Sequence, residues 1–368
     1  MATMKAVRFH GNRDLRLDEI PVPQCGKGQI KIKPAWCGIC GSDLHEYLGG
    51  PALTPITPHP ITGEQVPVTF GHEFSGTVEE VGDGVSDKYK VGDRVCVQPI
   101  IYCGDCGACK DDIPNCCYSN GFVGISGWGG GLSEHVVVPE YCVFHIPDNV
   151  SLEVAGQART PFTTMNTSGG TVGSRLARCQ DLPFKPGDSV LILGGGPIGL
   201  SVIQALRSKG DSTIIVSEVS PVRQQYAKQF GATHVLDPTK DDIVKRCKEL
   251  CDNQGVNVVF DAAGVQAGLD QAIHAVRARG TIVNIAVWEK PCTIHPNDLV
   301  FKERKYLGVA TYVLGDFGEV LEAISSGRMK PDSMITKRIA LNEVVEEGFK
   351  ALVKDKSQVK ILVKAHGG

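Results

Sequence analysis

A short apolar run, Ser189 to Leu193, passes straight into Gly194-Gly195-Gly196-Pro197-Ile198-Gly199 and then into a helical stretch, Ile198 to Ser208. Few features restrict a fold more. A strand that turns into a helix through G-x-G-x-x-G opens a βαβ unit, because glycines permit the tight turn and the helix N-terminus leaves free N–H groups for a pyrophosphate. Further short apolar strands are expected at Thr213–Val216, Val235–Leu236, Val256–Phe260 and Thr281–Ile285. Helical stretches at Val222–Phe230, Asp242–Cys251 and Ala267–Val276 separate them. This alternation predicts an α/β fold with a doubly wound parallel sheet. Glu218 ends the second strand, where a carboxylate can accept both adenosine-ribose hydroxyls and repel a 2′-phosphate, so NAD is favoured over NADP. Arg223, close by, weakens that preference. The candidate cofactor residues are Gly194, Gly196, Pro197, Ile198, Gly199, Glu218 and Arg223.

The chain before this unit has a different character. Strand candidates at Lys5–Phe9, Gln29–Lys33, Thr77–Val81, Arg94–Val97 and Ser133–Val138 are separated by turns such as Gly82-Asp83-Gly84 and Gly92-Asp93. That pattern predicts a β-rich unit of the barrel type over residues 1–150. Residues 151–312 make up the nucleotide-binding unit. From about Tyr312 a helix-rich tail, 313–368, closes with a strand at Val359–Val363 that can return to the first domain.

Cys103, Cys106, Cys109 and Cys117 lie on one glycine-containing loop. Four thiolates so close together can converge on Zn²⁺ as a closed, structural site. Free core cysteines and an iron–sulfur cluster are the alternatives; the neighbouring Asp105, Lys110, Asp111 and Asp112 speak against a core. Cys116 is read as a bystander. The scattered Cys25, Cys142, Cys247, Cys251 and Cys292 are read as small half-buried side chains.

A second constellation joins Gly38-Ile39-Cys40-Gly41-Ser42-Asp43-Leu44-His45 to Gly71-His72-Glu73. Cys40 and His72 supply two donors for a catalytic zinc, and Glu73 a third ligand or an assisting carboxylate. Ser42 and His45 can relay a proton from a bound alcohol. Spacing alone leaves open that Ser42 is a turn residue and His45 a surface histidine.

The 38 basic and 41 acidic residues give a net charge of −3 and are intermixed, so no basic stripe offers itself to nucleic acid. No long apolar run predicts a membrane span, and neither Met1-Ala2-Thr3-Met4 nor Ala365-His366-Gly367-Gly368 reads as a targeting signal, so the cytoplasm is expected.

Taken together, Gly38 to His45, Gly49-Gly50-Pro51, Pro58 to Glu64, Val66 to Gly76, the Cys103–Cys117 lobe, Gly194 to Leu200 and Ala286 to Pro291 carry a resemblance over nearly the whole chain. The sequence resembles the zinc-containing medium-chain alcohol dehydrogenases, within the polyol branch. The resemblance implies a GroES-like catalytic domain, completed by the C-terminal tail, with a Rossmann domain inserted. It also implies NAD and two zinc sites, with Cys40, His72 and Glu73 at the catalytic one. The implied substrate is a secondary alcohol of the 2,3-butanediol/acetoin type, with sorbitol or xylitol as alternatives, and the implied assembly is a homodimer or homotetramer.

Residues 155–182 depart from that pattern. Where the branch expects a glutamate at or near the catalytic zinc, this chain has Arg159, followed by Thr160-Pro161 and a polar run through Gln180 that is longer than the pattern needs. Lacking a helical period where a buried helix belongs, the stretch is in local conflict with the global fold. A shifted reading frame, a retained intron or genuine divergence accounts for it. The alternative function is a catalytically impaired, nucleotide-binding homologue.

Overall fold

The computed structural model describes residues 2–157, 184–210, 212–312, 314–355 and 357–366, so most of the 155–182 departure, Arg159 included, lies outside the described residues. The chain forms two compact units: Met1–Arg159 with Val313–Gly327 and Pro331–Gly368, and Thr160–Tyr312 with Arg328–Lys330.

The first unit is built from strands whose side chains alternate between core and solvent. In Thr3–Gly11, Met4 and Ala6 are buried while Thr3 and Lys5 are exposed, the period-two pattern of a half-buried strand. Its organising strand is Gln29–Gly38, at the middle of a seven-stranded sheet. Phe74–Val81 pairs antiparallel along one edge, with Cys37 opposite Phe74. Lys360–Lys364 pairs antiparallel along the other, with Leu362 opposite Gly38. The chain's last strand therefore lies in the same sheet as its third, which places Lys360 beside the end of Gln29–Gly38.

Aromatic side chains fill the core of this unit. Phe9 stacks on Phe70 at 5.0 Å between ring centroids, and Tyr47 sets its edge to Phe349 at 5.4 Å. Such pairs add about 0.5–1.5 kcal/mol beyond their burial. The strand expected at Ser133–Val138 runs instead over Val136–Pro139. The Ser133 hydroxyl donates to the carbonyls of Gly130 (2.7 Å) and His135 (2.9 Å), a local bonding pattern that competes with the ladder.

The second unit holds a six-stranded, wholly parallel sheet in the order His234–Leu236, Thr213–Ser217, Ser189–Leu193, Val256–Asp261, Val276–Asn284, Lys305–Gly308. Val190, Leu191 and Ile192 are fully buried, as continuous apolar strands in parallel sheets are. The strand before the glycine loop has its sequence successor on one side and a later strand on the other. The C-terminal end of such a strand is the switch point where α/β sheets bind ligands. One boundary differs from expectation. The helix ends at Ala275 and the strand begins at Val276, because Val276 pairs with Val256 and prolongs the ladder before Thr281.

Candidate active site and metal centres

Cys40 caps the helix Gly41–Gly49, and the Asp43 carboxylate closes a capping box by accepting from the Cys40 N–H at 2.9 Å. The same carboxylate lies 2.9 Å from His72 Nδ1, with both side chains buried. With a proton on Nδ1 facing that carboxylate, Nε2 keeps its lone pair for a metal or for the Ser42 hydroxyl, 3.1 Å away. His45 sits half-buried one helical turn after Ser42, on the same face. Asp43 was not singled out in the sequence, although an acid three residues after a cap is a recognisable helix-start signal.

Glu73 is fully buried and forms a buried ion pair with Lys360, whose ammonium also donates to the Ile39 carbonyl at 3.2 Å. A Cβ at Gly38 would lie 2.7 Å from Lys360 Cε and 2.9 Å from Glu73 Oε2, so any larger residue there would displace this pair. Lys360 is the functional neighbour that sequence reasoning missed. It is 287 positions from Glu73, and no local pattern marks it.

The ligand atoms of Cys40, His72 and Glu73 all lie within 4.8 Å of one another. Burial, and after it the Glu73 carboxylate, pushes the Cys40 thiol up to about 12. One soft donor, one imidazole and one carboxylate are the donor types that a catalytic zinc uses.

The four-cysteine lobe fits zinc differently. Its sulfurs stand 3.5 Å (Cys106–Cys109 and Cys103–Cys117), 3.8 Å (Cys106–Cys117) and 3.9 Å (Cys103–Cys109) apart. A tetrahedron with Zn–S bonds of about 2.3 Å has edges of about 3.8 Å, so the cage already has the right size. Backbone N–H groups of Tyr118 and Cys109 hold the Cys106 thiol down to about 6, while burial raises Cys109 to about 12. The thirteen described cysteines are all free of disulfides. Of the scattered ones, Cys142 and Cys247 are buried, whereas Cys292 is exposed rather than half-buried.

In the second unit Gly194 has φ +92°, open to glycine, and a Cβ at Gly199 would lie 1.9 Å from the Gly194 carbonyl oxygen. Gly196 caps the helix Pro197–Ser208, with Pro197 and Ile198 half-buried in its first turn. Glu218 is buried. Its Oε2 accepts from Gly195 N at 2.6 Å and its Oε1 from Ser220 N at 2.7 Å, so the carboxylate is tied to the loop with lone pairs to spare. The Arg223 guanidinium lies beside Gly196, 3.9 Å from a Cβ built there. The loop, the helix start and the acid thus come together as a dinucleotide cradle requires.

A β-rich unit with two zinc-type ligand sets, and a separate parallel-sheet unit with a dinucleotide cradle, define a class. This chain belongs to the zinc-binding alcohol dehydrogenase family. Residues 26–148 match the alcohol dehydrogenase GroES-like domain and 197–326 the zinc-binding dehydrogenase domain. The protein is a zinc-dependent oxidoreductase acting on the CH–OH group of a secondary alcohol, with zinc and NAD as cofactors. It is 46% identical to (R,R)-butanediol dehydrogenase of Bacillus subtilis over 98% of this chain and 99% of the relative. It is 37% identical to (R,R)-butanediol dehydrogenase of Neisseria gonorrhoeae, over 98% and 99%. A crystal structure of 2R,3R-butanediol dehydrogenase from Bacillus subtilis superposes with a TM-score of 0.89 at 44% identity, covering 99% of this chain and all of that one. Among the described residues no helix is long and apolar enough to cross a membrane.

Proposed function

We propose that the chain oxidises a vicinal secondary diol of the 2,3-butanediol type to the hydroxyketone, reversibly, with NAD as hydride acceptor. The observation that carries this reading is the buried Cys40–His72–Glu73 cluster with the Ser42 hydroxyl against it, in a chain whose relatives carry the butanediol name. Cys40, His72 and Glu73 hold the catalytic zinc, and Cys103, Cys106, Cys109 and Cys117 the structural one. Bound zinc supplies Lewis acidity that lowers the pKa of an alcohol. Asp43 fixes the His72 ring, and Lys360 balances the charge of Glu73. Ser42 receives the alcohol proton and His45 passes it outward. The loop Gly194–Gly199 binds the pyrophosphate. Glu218 binds the adenosine ribose and Arg223 borders it.

Following NADH appearance with (R,R)-2,3-butanediol, meso-2,3-butanediol, sorbitol and xylitol tests this. Turnover preferring the (R,R) diol supports the reading, and preference for sorbitol or xylitol replaces it with a polyol dehydrogenase. Binding of NADH without turnover of any alcohol favours the second reading, an impaired homologue, for which Arg159 in the place of the expected glutamate is the specific observation.

The same reading places the chain in the cytoplasm, in keeping with the free thiols of its thirteen described cysteines. It also makes the protein a homodimer or homotetramer. Lys305–Gly308 ends the sheet, with Phe301, 76% exposed, just before it. Light scattering in solution tests the assembly.

A further inference from the structure

The strand Lys360–Lys364, which brings Lys360 to Glu73, pairs with Gln29–Gly38 through Leu362, Val363 and Lys364. Two further contacts pin its end. Ala365, buried, donates its N–H to the Ala35 carbonyl at 3.1 Å and so prolongs the ladder by one bond. The half-buried His366 then turns its ring onto the segment before Val136–Pro139, with Nε2 2.5 Å from the Glu134 carbonyl oxygen. Nothing in the proposed reaction uses this contact.

The segment that receives the ring is itself fixed. Glu134 donates its N–H to the Lys5 carbonyl at 3.1 Å, and its carboxylate accepts from Lys5 N at 2.7 Å, so it is tied to the strand Thr3–Gly11. Next to it, the His135 ring meets that of His366 edge-on, with 5.9 Å between centroids. His135 Nδ1 lies 2.7 Å from Glu79 Oε2, on the strand Phe74–Val81. The charged and titratable groups facing His366 are therefore Lys33 from Gln29–Gly38, His135 with Glu79 behind it, and the Glu134 carboxylate, already engaged by Lys5 N–H.

With its hydrogen on Nε2 the His366 ring donates to the Glu134 carbonyl, and a further proton goes to Nδ1. That proton creates a cation in a half-buried site, against the Lys33 ammonium and a second imidazole whose acid partner, Glu79, is engaged. Burial first, and then the charges of Lys33 and His135, hold the His366 ring below its ordinary value, while its contacts with Glu134 oppose them. A folded-state value below the unfolded one puts the contact at full strength above about pH 6.5 and weakens it as the pH falls from there. We propose that His366, closing on Glu134 and His135, is a pH-sensitive clasp on the end of the last strand, shut while its ring is neutral. The clasp secures the end of the ladder whose register brings Lys360 to Glu73.

The test is amide hydrogen exchange at Ala365, corrected for the intrinsic pH dependence of exchange, in zinc-loaded wild type, His366→Gln and His366→Lys. Gln keeps an N–H donor for the Glu134 carbonyl and does not titrate. Lys carries a fixed charge in the same place. Zinc content and thermal unfolding at about pH 7.5 report folding. The expected result in wild type is a loss of protection at Ala365 of about threefold or more between about pH 7.5 and 5.5. His366→Gln should stay flat over that range, and His366→Lys should be open throughout. A wild type whose protection at Ala365 does not change, or a Gln variant that loses it as wild type does, overturns the inference. If the Lys variant does not fold, wild type and the Gln variant decide. The readout is exchange and not turnover, so failure of the proposed function leaves this result standing.

Discussion

The two zinc-type clusters of the first unit are built in opposite ways. Cys103, Cys106, Cys109 and Cys117 share one loop, and the first three are half-buried while Cys117 is buried. Cys40, His72 and Glu73 come from two segments and depend on Lys360 from the last strand, with His72, Glu73 and Lys360 all buried. The loop cluster needs only its own turn geometry and a metal. The buried cluster exists only after Gln29–Gly38 has paired with both Phe74–Val81 and Lys360–Lys364. One site can thus help to make local structure, while the other is made by the fold.

This difference can be broken experimentally, and the largest effect is expected at the loop. Replacing Cys106 with Ser should abolish zinc at the lobe, whose binding free energy is folding free energy of about 10 kcal/mol or more. Metal analysis should find one zinc per chain fewer, and limited proteolysis should cut within 103–117. Cys40→Ser should also remove one zinc, yet leave the melting transition nearly in place while turnover falls about a thousandfold or more. Equal losses of stability in the two variants would erase the contrast.

Lys360→Met comes next. It leaves the Glu73 carboxylate buried without its cation, which costs about 3–5 kcal/mol and is readable as a lower denaturant midpoint. The double variant with Glu73→Gln should recover much of that loss, since both charges are then gone. Asp43→Asn should act more mildly, because the amide still holds the His72 ring but no longer favours its ligating form. Zinc affinity or turnover should drop about 10–100-fold while the fold stays intact.

The smallest effect is in the protons. In the metal-free protein the Cys40 thiol is pushed up to about 12, so it stays protonated throughout the neutral range and zinc must displace that proton. Affinity at this site should therefore weaken by about tenfold for each unit the pH falls. In the lobe, Cys106 is held down to about 6 and is already a thiolate at neutral pH, so zinc should release fewer than four protons there. Calorimetric zinc titrations in buffers of different ionisation enthalpy count these protons directly.

Much of the molecule was legible in the residues themselves. The strand–glycine–helix passage at Ser189 to Ser208, the acid at Glu218 and the four-cysteine loop are each contained in a short stretch, so their spacing carries their geometry. Ser42 and His45 share a helix face for the same reason. The strand that begins at Val276 was read too late, because its first pairing depends on Val256 in another strand.

By itself the sequence determined those local devices: a turn that only glycines can make, a loop that brings four sulfurs together, and a helix whose period aligns a hydroxyl with an imidazole. Tertiary structure alone decided that Lys360 should face Glu73, that Asp43 should hold the His72 ring, and that Glu46 should gather the N–H groups of Ala52, Leu53 and Thr54. The physical reason is register. Contacts within a turn follow from backbone geometry, whereas the meeting of distant side chains depends on which strands pair and at which residue. A shift of one position would turn the end of the last strand to the opposite face of the sheet and leave the Glu73 carboxylate buried without its partner.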